Sequence, residues 1–305
     1  MERIINLIKK DKKYDINLLF AILCIYVLFI ILNDYICFGF NSNANIITYL
    51  ISFIITVLII FFISIKVNIK IEKFNIYDII FFIVFIGIYL IKFAIPDKAF
   101  DSLNYHLYIQ ESTFSDNTMY NFFPARWINT FSFPLADRMH YFFRFLLGYR
   151  LGNIFNLFIV VVIYYQVKRF LSIFIKNSRE MLIPVLSLLV VSTEFILQNY
   201  ITYYIDLICI PFILEILFII FNKSYNKFNN YLTLFCAGVI VAIKVSNALL
   251  LIPIGIIYII GARKTITIGT IAVGGIIAAF PVIVYLLNNY IQTRKSGISV
   301  LQFNF

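Results

Sequence analysis

"FFIVFIGIYLIKFAIPDKAFDSLNYHLYIQ", Phe81–Gln110, changes character halfway along. Up to Ile95 it is apolar apart from Lys92, and after Pro96 an Asp, an Asn, a Tyr and a His fall within six positions, Asp101–His106. The first half has the length and composition of a helix that crosses a bilayer, about 20 apolar residues. The rest of the chain repeats that half in blocks of roughly 15–25 apolar residues with charges between them. Composition agrees. Of 305 residues, 62% are hydrophobic and 13% charged, against about 25% charged in soluble domains. The fold class expected is all-α, a polytopic transmembrane helical bundle forming one integral membrane domain.

Nine spans are read from the pattern: Ile16–Leu32, Ile46–Ile65, Ile76–Ile95, Leu151–Val167, Met181–Leu197, Leu207–Phe221, Tyr231–Ile243, Ala248–Ile260 and Ile266–Leu287. The first follows "MERIINLIKKDKKYD" and precedes "NDYICFGF", which has no small-x-small cleavage site. It reads as an uncleaved span rather than a signal peptide. The seventh and eighth are short, and charge decides between two crossings and one long helix. Arg3 with Lys9, Lys10, Lys12 and Lys13, then Lys66, Lys70 and Lys73, Lys168 with Arg169, Lys223 with Lys227, and Arg263 with Lys264 all fall on one side if Tyr231–Ile260 crosses twice. The opposite loops Asn33–Asn45 and Gln198–Asp206 hold no Lys or Arg. Basic residues collect on the cytoplasmic side, so the amino terminus is expected inside the cell and the carboxyl terminus outside. The net charge of +10 is thereby assigned to cytoplasmic loops of a cell membrane protein, with no nucleic-acid partner implied. Cys24, Cys37, Cys209 and Cys236 show no CxxC spacing, so neither a disulfide framework nor a zinc site is suggested.

On this map Pro96–Arg150 is one external segment of 55 residues holding His106, His140 and the only Trp, Trp127. Asp101 and Tyr105 share a helical face at i,i+4, with His106 adjacent and Leu103 and Leu107 on the apolar side. A carboxylate there is placed to act on a polar head at the membrane surface; it is also what the start of any helix favours. "RMHYFFRFLLGYR", Arg138–Arg150, reads as an amphipathic helix lying in the interface plane. Asp206, among Tyr200, Tyr203 and Tyr204, falls on the same outer side. The alternatives are an interfacial aromatic belt with a capping Asp, or a second carboxylate that shares acid–base work or holds a divalent cation with Asp101. Lys244, between two short spans, either snorkels to water or pairs with an anion such as a lipid phosphate. Arg126, Arg138 and Arg144 are interfacial anchors or phosphate clamps. Glu194 lies near the outer end of its span, placed to line the same cavity, and Glu215, mid-span, is placed instead to pair within the bundle. No HExxH, Walker, GxSxG or dinucleotide fingerprint occurs, so a cytosolic nucleotide substrate is not indicated.

"FDSLNYHL" at Phe100–Leu107 resembles the Asp-Ser-Leu-x-Tyr-His-Leu signature of bacterial integral membrane glycosyltransferases of the GT-C superfamily, the aminoarabinose-transferase and protein-mannosyltransferase-like enzymes. "FPLADRMHYFFRFLLGYRLGNIFNL" (Phe133–Leu157), "YYIDL" (Tyr203–Leu207) and "AIKVSNALLLIP" (Ala242–Pro253) resemble further parts of that family. The resemblance implies a sugar carried on a polyprenyl phosphate in the outer leaflet. It implies inverting transfer with Asp101 as catalytic base or metal ligand and Asp206 as the second acidic residue. Tyr105 and His106 would support the Asp101 site, and Lys244 would contact the phosphate, with Arg126 and Arg138 as further substrate contacts. The alternatives are a flippase or transporter of lipid-linked saccharide, and an inactive truncated membrane protein, since the chain stops at Phe305, shorter than such enzymes usually run.

Overall fold

In the computed structural model, residues 14–40, 42, 44–64, 67–71, 74–95, 103, 106, 107, 110, 134–175 and 181–295 are described. Of these, 82% are helical, in eleven helices. A four-residue strand β1 (Tyr14–Asn17) runs into α1 (Leu18–Phe40), and α2 (Ile46–Ser64) leads into β2 (Val67–Lys70). Then follow α3 (Ile76–Ala94), α4 (Leu135–Leu151), α5 (Ile154–Leu171), α6 (Leu182–Val191), α7 (Glu194–Tyr200), α8 (Asp206–Phe221), α9 (Lys227–Ile243), α10 (Asn247–Ala262) and α11 (Ile268–Lys295). The strands, absent from the all-α expectation, pair in parallel with Tyr14 opposite Val67. The α1–α2 hairpin is the crossover that parallel pairing requires.

The described residues of the nine apolar stretches are mostly helical, with Ile16 and Asn17 in β1, but nine crossings do not follow from that. By length and composition, four helices among the described residues can cross a membrane: Leu18–Phe40, Ile76–Ala94, Ile154–Leu171 and Ile268–Asn288. A fifth is reached if the bent pair α6–α7 counts as one. The expected span Met181–Leu197 is that pair, broken at Ser192–Thr193 with a bend of 61°. The outward faces carry bare hydrocarbon, among them Phe62 at 69%, Leu249 at 73% and Ile276 at 71% exposure. A surface this apolar is compatible with a membrane protein and foreign to water.

Side-chain pairings fix the alternation of the helices. Lys168, late in α5, reaches Asp78, early in α3. Asn156, early in α5, meets the carbonyls that precede α8. Tyr285, late in α11, bonds Asp34, late in α1. Asn230, early in α9, bonds Thr265 between α10 and α11. The bundle therefore has an Asp78 end and an Asp206 end. At the Asp78 end, Asn75 and Asp78 form a capping box on α3. Lys168 and Arg169, read from sequence as loop cations, lie inside the last turn of α5. Lys168 Nζ donates to both oxygens of Asp78 at 2.8 and 3.1 Å, and Arg169 Nη1 donates to Glu215 at 2.7 Å.

The helices α9 and α11 are held close by small residues. A Cβ on Gly238 would stand 2.1 Å from the Ala278 carbonyl oxygen, so only glycine permits that approach.

Candidate functional site

The helix α4 organises the Asp206 end. Asp137, His140, Tyr141 and Arg144 recur at i, i+3, i+4 and i+7, so they share one face. That face is turned into the protein. Asp137, Arg138, His140 and Arg144 are all at most 5% exposed, while Leu146 and Leu147 are 58% and 44% exposed. The expectation of an interfacial helix with its polar side in water is thus reversed. The cause is packing: Tyr26, midway along α1, donates to the Met139 carbonyl at 2.6 Å, and Phe142 and Phe143 pack on Tyr26. The helix is kinked at Gly148, whose φ of 80° and ψ of 174° suit glycine alone. The chain then turns so that Gly152 lies against Arg144, where a Cβ would fall 2.6 Å from its Cγ.

Two buried networks grow from this face. In the first, His106 Nδ1 and Asp137 Oδ1 are 2.9 Å apart. Gln110 Nε2 donates to the same oxygen at 3.4 Å, and Arg144 Nη1 donates to Gln110 Oε1 at 2.8 Å. The Arg144 guanidinium lies over the Tyr149 and Tyr203 rings at 5.1 and 5.6 Å, an arrangement that favours a cation away from water.

In the second, Asn156 Nδ2 donates to Asn153 Oδ1 and to the carbonyls of Asn199, Tyr200 and Thr202. Its Oδ1 is therefore the acceptor for His140 Nε2, 2.8 Å away. That assigns the His140 proton to Nε2 and leaves Nδ1 a bare lone pair, which is buried with no hydrogen-bond partner. Burial is the main cause that lowers the His140 pKa from 6.5 to about 4, against the opposing influences of Asn156 and Asp137. The ring stays neutral near neutral pH, edge-on to Phe155 and Tyr203.

Beside these networks, Asp34 on α1 accepts from Tyr285 at 2.6 Å and faces Arg138 Nε at 3.8 Å. Asp34 Oδ1 has no hydrogen-bond partner.

The residues named from sequence fall out as follows. Asp101, Tyr105 and Arg126 lie outside the described residues. Asp206 opens α8 and pairs with Lys244, the residue after α9, at 2.8 Å with both side chains partly exposed. The lysine expected to meet a lipid phosphate thus already faces a carboxylate. Tyr200 and Tyr203, two of the tyrosines around Asp206, are buried and donate to the carbonyls of Phe85 and Tyr149. Arg138 is buried against Asp34, and His106 is in the first network. Glu215 pairs within the bundle, as its mid-span place suggested. Glu194 lies on the surface, accepting from Gln198.

Sequence reading passed over Asp34, Gln110, Asp137, Asn153 and Asn156. The i, i+3, i+4, i+7 spacing of Asp137, His140, Tyr141 and Arg144 was the available signal. Among the described residues no three of His, Cys, Asp and Glu gather as a cation site. No family model, no curated protein and no solved structure matches the chain.

Proposed function

We propose that the chain is an integral membrane glycosyltransferase that moves a sugar from a polyprenyl-phosphate donor to a cell-envelope acceptor on the outer face of the membrane. In this reading the amino terminus is cytoplasmic, the Asp206 end is external and the carboxyl terminus is external. The observation that carries it is the buried contact of His106 with Asp137. The stretch Phe100–Leu107, on which the family resemblance rests, leads directly into that contact and through Gln110 to Arg144.

The chemistry requires a base near the acceptor hydroxyl and positive charge near the departing phosphate. Asp101 takes the acceptor proton. The acceptor oxygen forms a bond to the anomeric carbon as the carbon–oxygen bond to the lipid phosphate breaks, with inversion. A carboxylate on His106 Nδ1 fixes the proton there and makes Nε2 the basic nitrogen, so His106 supports that step as a proton acceptor. Lys244, released from Asp206 when the lipid phosphate arrives, supplies positive charge with Arg138. Asp101 and Asp206 are the residues that would hold a divalent cation, which would add to the same charge stabilisation.

The test is transfer from defined polyprenyl-phosphate sugars by the full chain in vesicles. Asp101→Asn is expected to abolish transfer while insertion is unchanged; full activity in that variant removes Asp101 as the base. A flippase reading has one observation in its favour, the broken pair α6–α7, whose Asn199 and Tyr200 carbonyls meet Asn156, since discontinuous helices line transport sites. Flipping of lipid-linked saccharide without turnover would select it.

A further inference from the structure

A groove lies in the Asp78 half of the bundle between two helix pairs, α1 with α2 and α9 with α11. Its volume is about 500 Å³, far beyond the voids that side-chain packing leaves and within the range of small-molecule sites. The walls are hydrocarbon and aromatic except for the Cys24 thiol and the Tyr231 hydroxyl.

Its shape is set by where the two pairs touch. Toward the Asp206 end, Tyr35 stacks on Phe280 at 4.9 Å and donates to its carbonyl at 2.8 Å. Further along, Tyr285 bonds Asp34. These contacts close the groove at Phe280. Toward the other end the β1–β2 pair joins the wall through Ile16, Val67 and Ile69, and along the side Ile69 and Ile276 stand exposed at the rim. The groove therefore admits a chain from the side, and stops it at Phe280 near the middle of the bundle.

The rim is basic at its Asp78 end. Lys227 Nζ lies 6.0 Å from the ring of Tyr231, a wall residue. Lys223, Arg263 and Lys264 fall at the same end. The acidic side chains Asp78 and Glu215 are engaged there by Lys168 and Arg169. A blind apolar groove with an aromatic and a cation at its mouth suits a ligand with one hydrocarbon chain inward and an anionic head at the mouth.

We propose that this groove binds one acyl chain of an anionic phospholipid from the cytoplasmic leaflet, its head held at Lys227. The closed end at Phe280 excludes a lipid whose head sits at the Asp206 end. The proposal rests on the membrane orientation given above and not on sugar transfer.

The full chain is placed in vesicles of phosphatidylcholine carrying a phosphatidylglycerol probe with a diazirine in one chain, illuminated, and its adducts mapped by mass spectrometry. Adducts are expected on Leu28, Phe235 and Ile277, competed by unlabelled phosphatidylglycerol. Filling the groove with Leu28→Phe and Ile277→Phe is expected to lower them at least fivefold. Should that variant fail to fold, Lys227→Gln serves, with the preference for phosphatidylglycerol over phosphatidylcholine expected to fall about fivefold. Adducts spread evenly over the outward faces of α3 and α10 would overturn the proposal. So would displacement of the probe by polyprenyl phosphate, or cross-links placing residues 1–13 or a second copy in the groove. Labelling without sugar transfer sinks the transferase reading alone; transfer without labelling sinks this one alone.

Discussion

Asp78 and Asp34 are both fully buried carboxylates in apolar helices, and the two ends of the bundle treat them differently. Asp78 accepts four hydrogen bonds, two from Lys168, one from Tyr164 and one from the Asn75 backbone. Asp34 accepts one, from Tyr285, while Arg138 stands off at 3.8 Å from Oδ1, which has no hydrogen-bond partner. The Asp78 end saturates its charges and holds helices together. The Asp206 end gathers charge and leaves acceptor capacity open at Asp34 and at His140 Nδ1. Orphaned buried acceptors cost stability; Gln166 Oε1 and Thr233 Oγ1 are orphaned in the Asp78 half as well, so what sets the Asp206 end apart is that a carboxylate and an imidazole are among its open acceptors.

Removing half of a saturated pair breaks that contrast most severely. Lys168→Met leaves Asp78 buried without its cation, and a loss of about 3–5 kcal/mol is expected. Thermal denaturation in detergent checks it, and an unchanged midpoint would mean that the pair does not hold α3 to α5. Next is Asp137→Asn at the other end. Transfer is expected to fall at least about 100-fold, while stability drops by about 1–3 kcal/mol.

The third test is pH. The folded pKa of His140 is lowered to about 4 from 6.5, so between those values the unfolded chain binds the extra proton. The contribution of neutral His140 is complete above pH 6.5 and is lost as pH falls toward 4. Denaturation midpoints should decline across that window, and His140→Gln should flatten the slope. The smallest effect belongs to the partly exposed pair. Lys244→Gln should cost under about 1 kcal/mol of stability and show itself instead as a raised KM for the phosphate donor.

The helices were legible in the sequence because apolar blocks of spanning length admit little else. The pairing of Glu215 was legible too, since a mid-span carboxylate needs a partner. The burial of α4 was not. An amphipathic stripe says that two faces differ, but beside a membrane the apolar face can meet lipid while the polar face turns into a bundle. Partners remote in sequence were equally hidden: Lys168 lies 90 residues from Asp78, and Tyr285 lies 251 from Asp34. Lys168 and Arg169 looked like loop cations because nothing in their own neighbourhood announces the carboxylates they meet. The strand pair was missed because four residues of alternation, as in "VNIK", carry little signal.

The contrast between the ends reduces to one side-by-side measurement on the full chain in vesicles: sugar transfer from a polyprenyl-phosphate donor, and thermal midpoint, for Asp137→Asn and Lys168→Met. The expected result is that Asp137→Asn loses transfer with a modest fall in midpoint, whereas Lys168→Met loses midpoint and keeps transfer in whatever fraction remains folded. Asp137→Asn transferring sugar at the rate of the unaltered chain would contradict the assignment of the Asp206 end as the site.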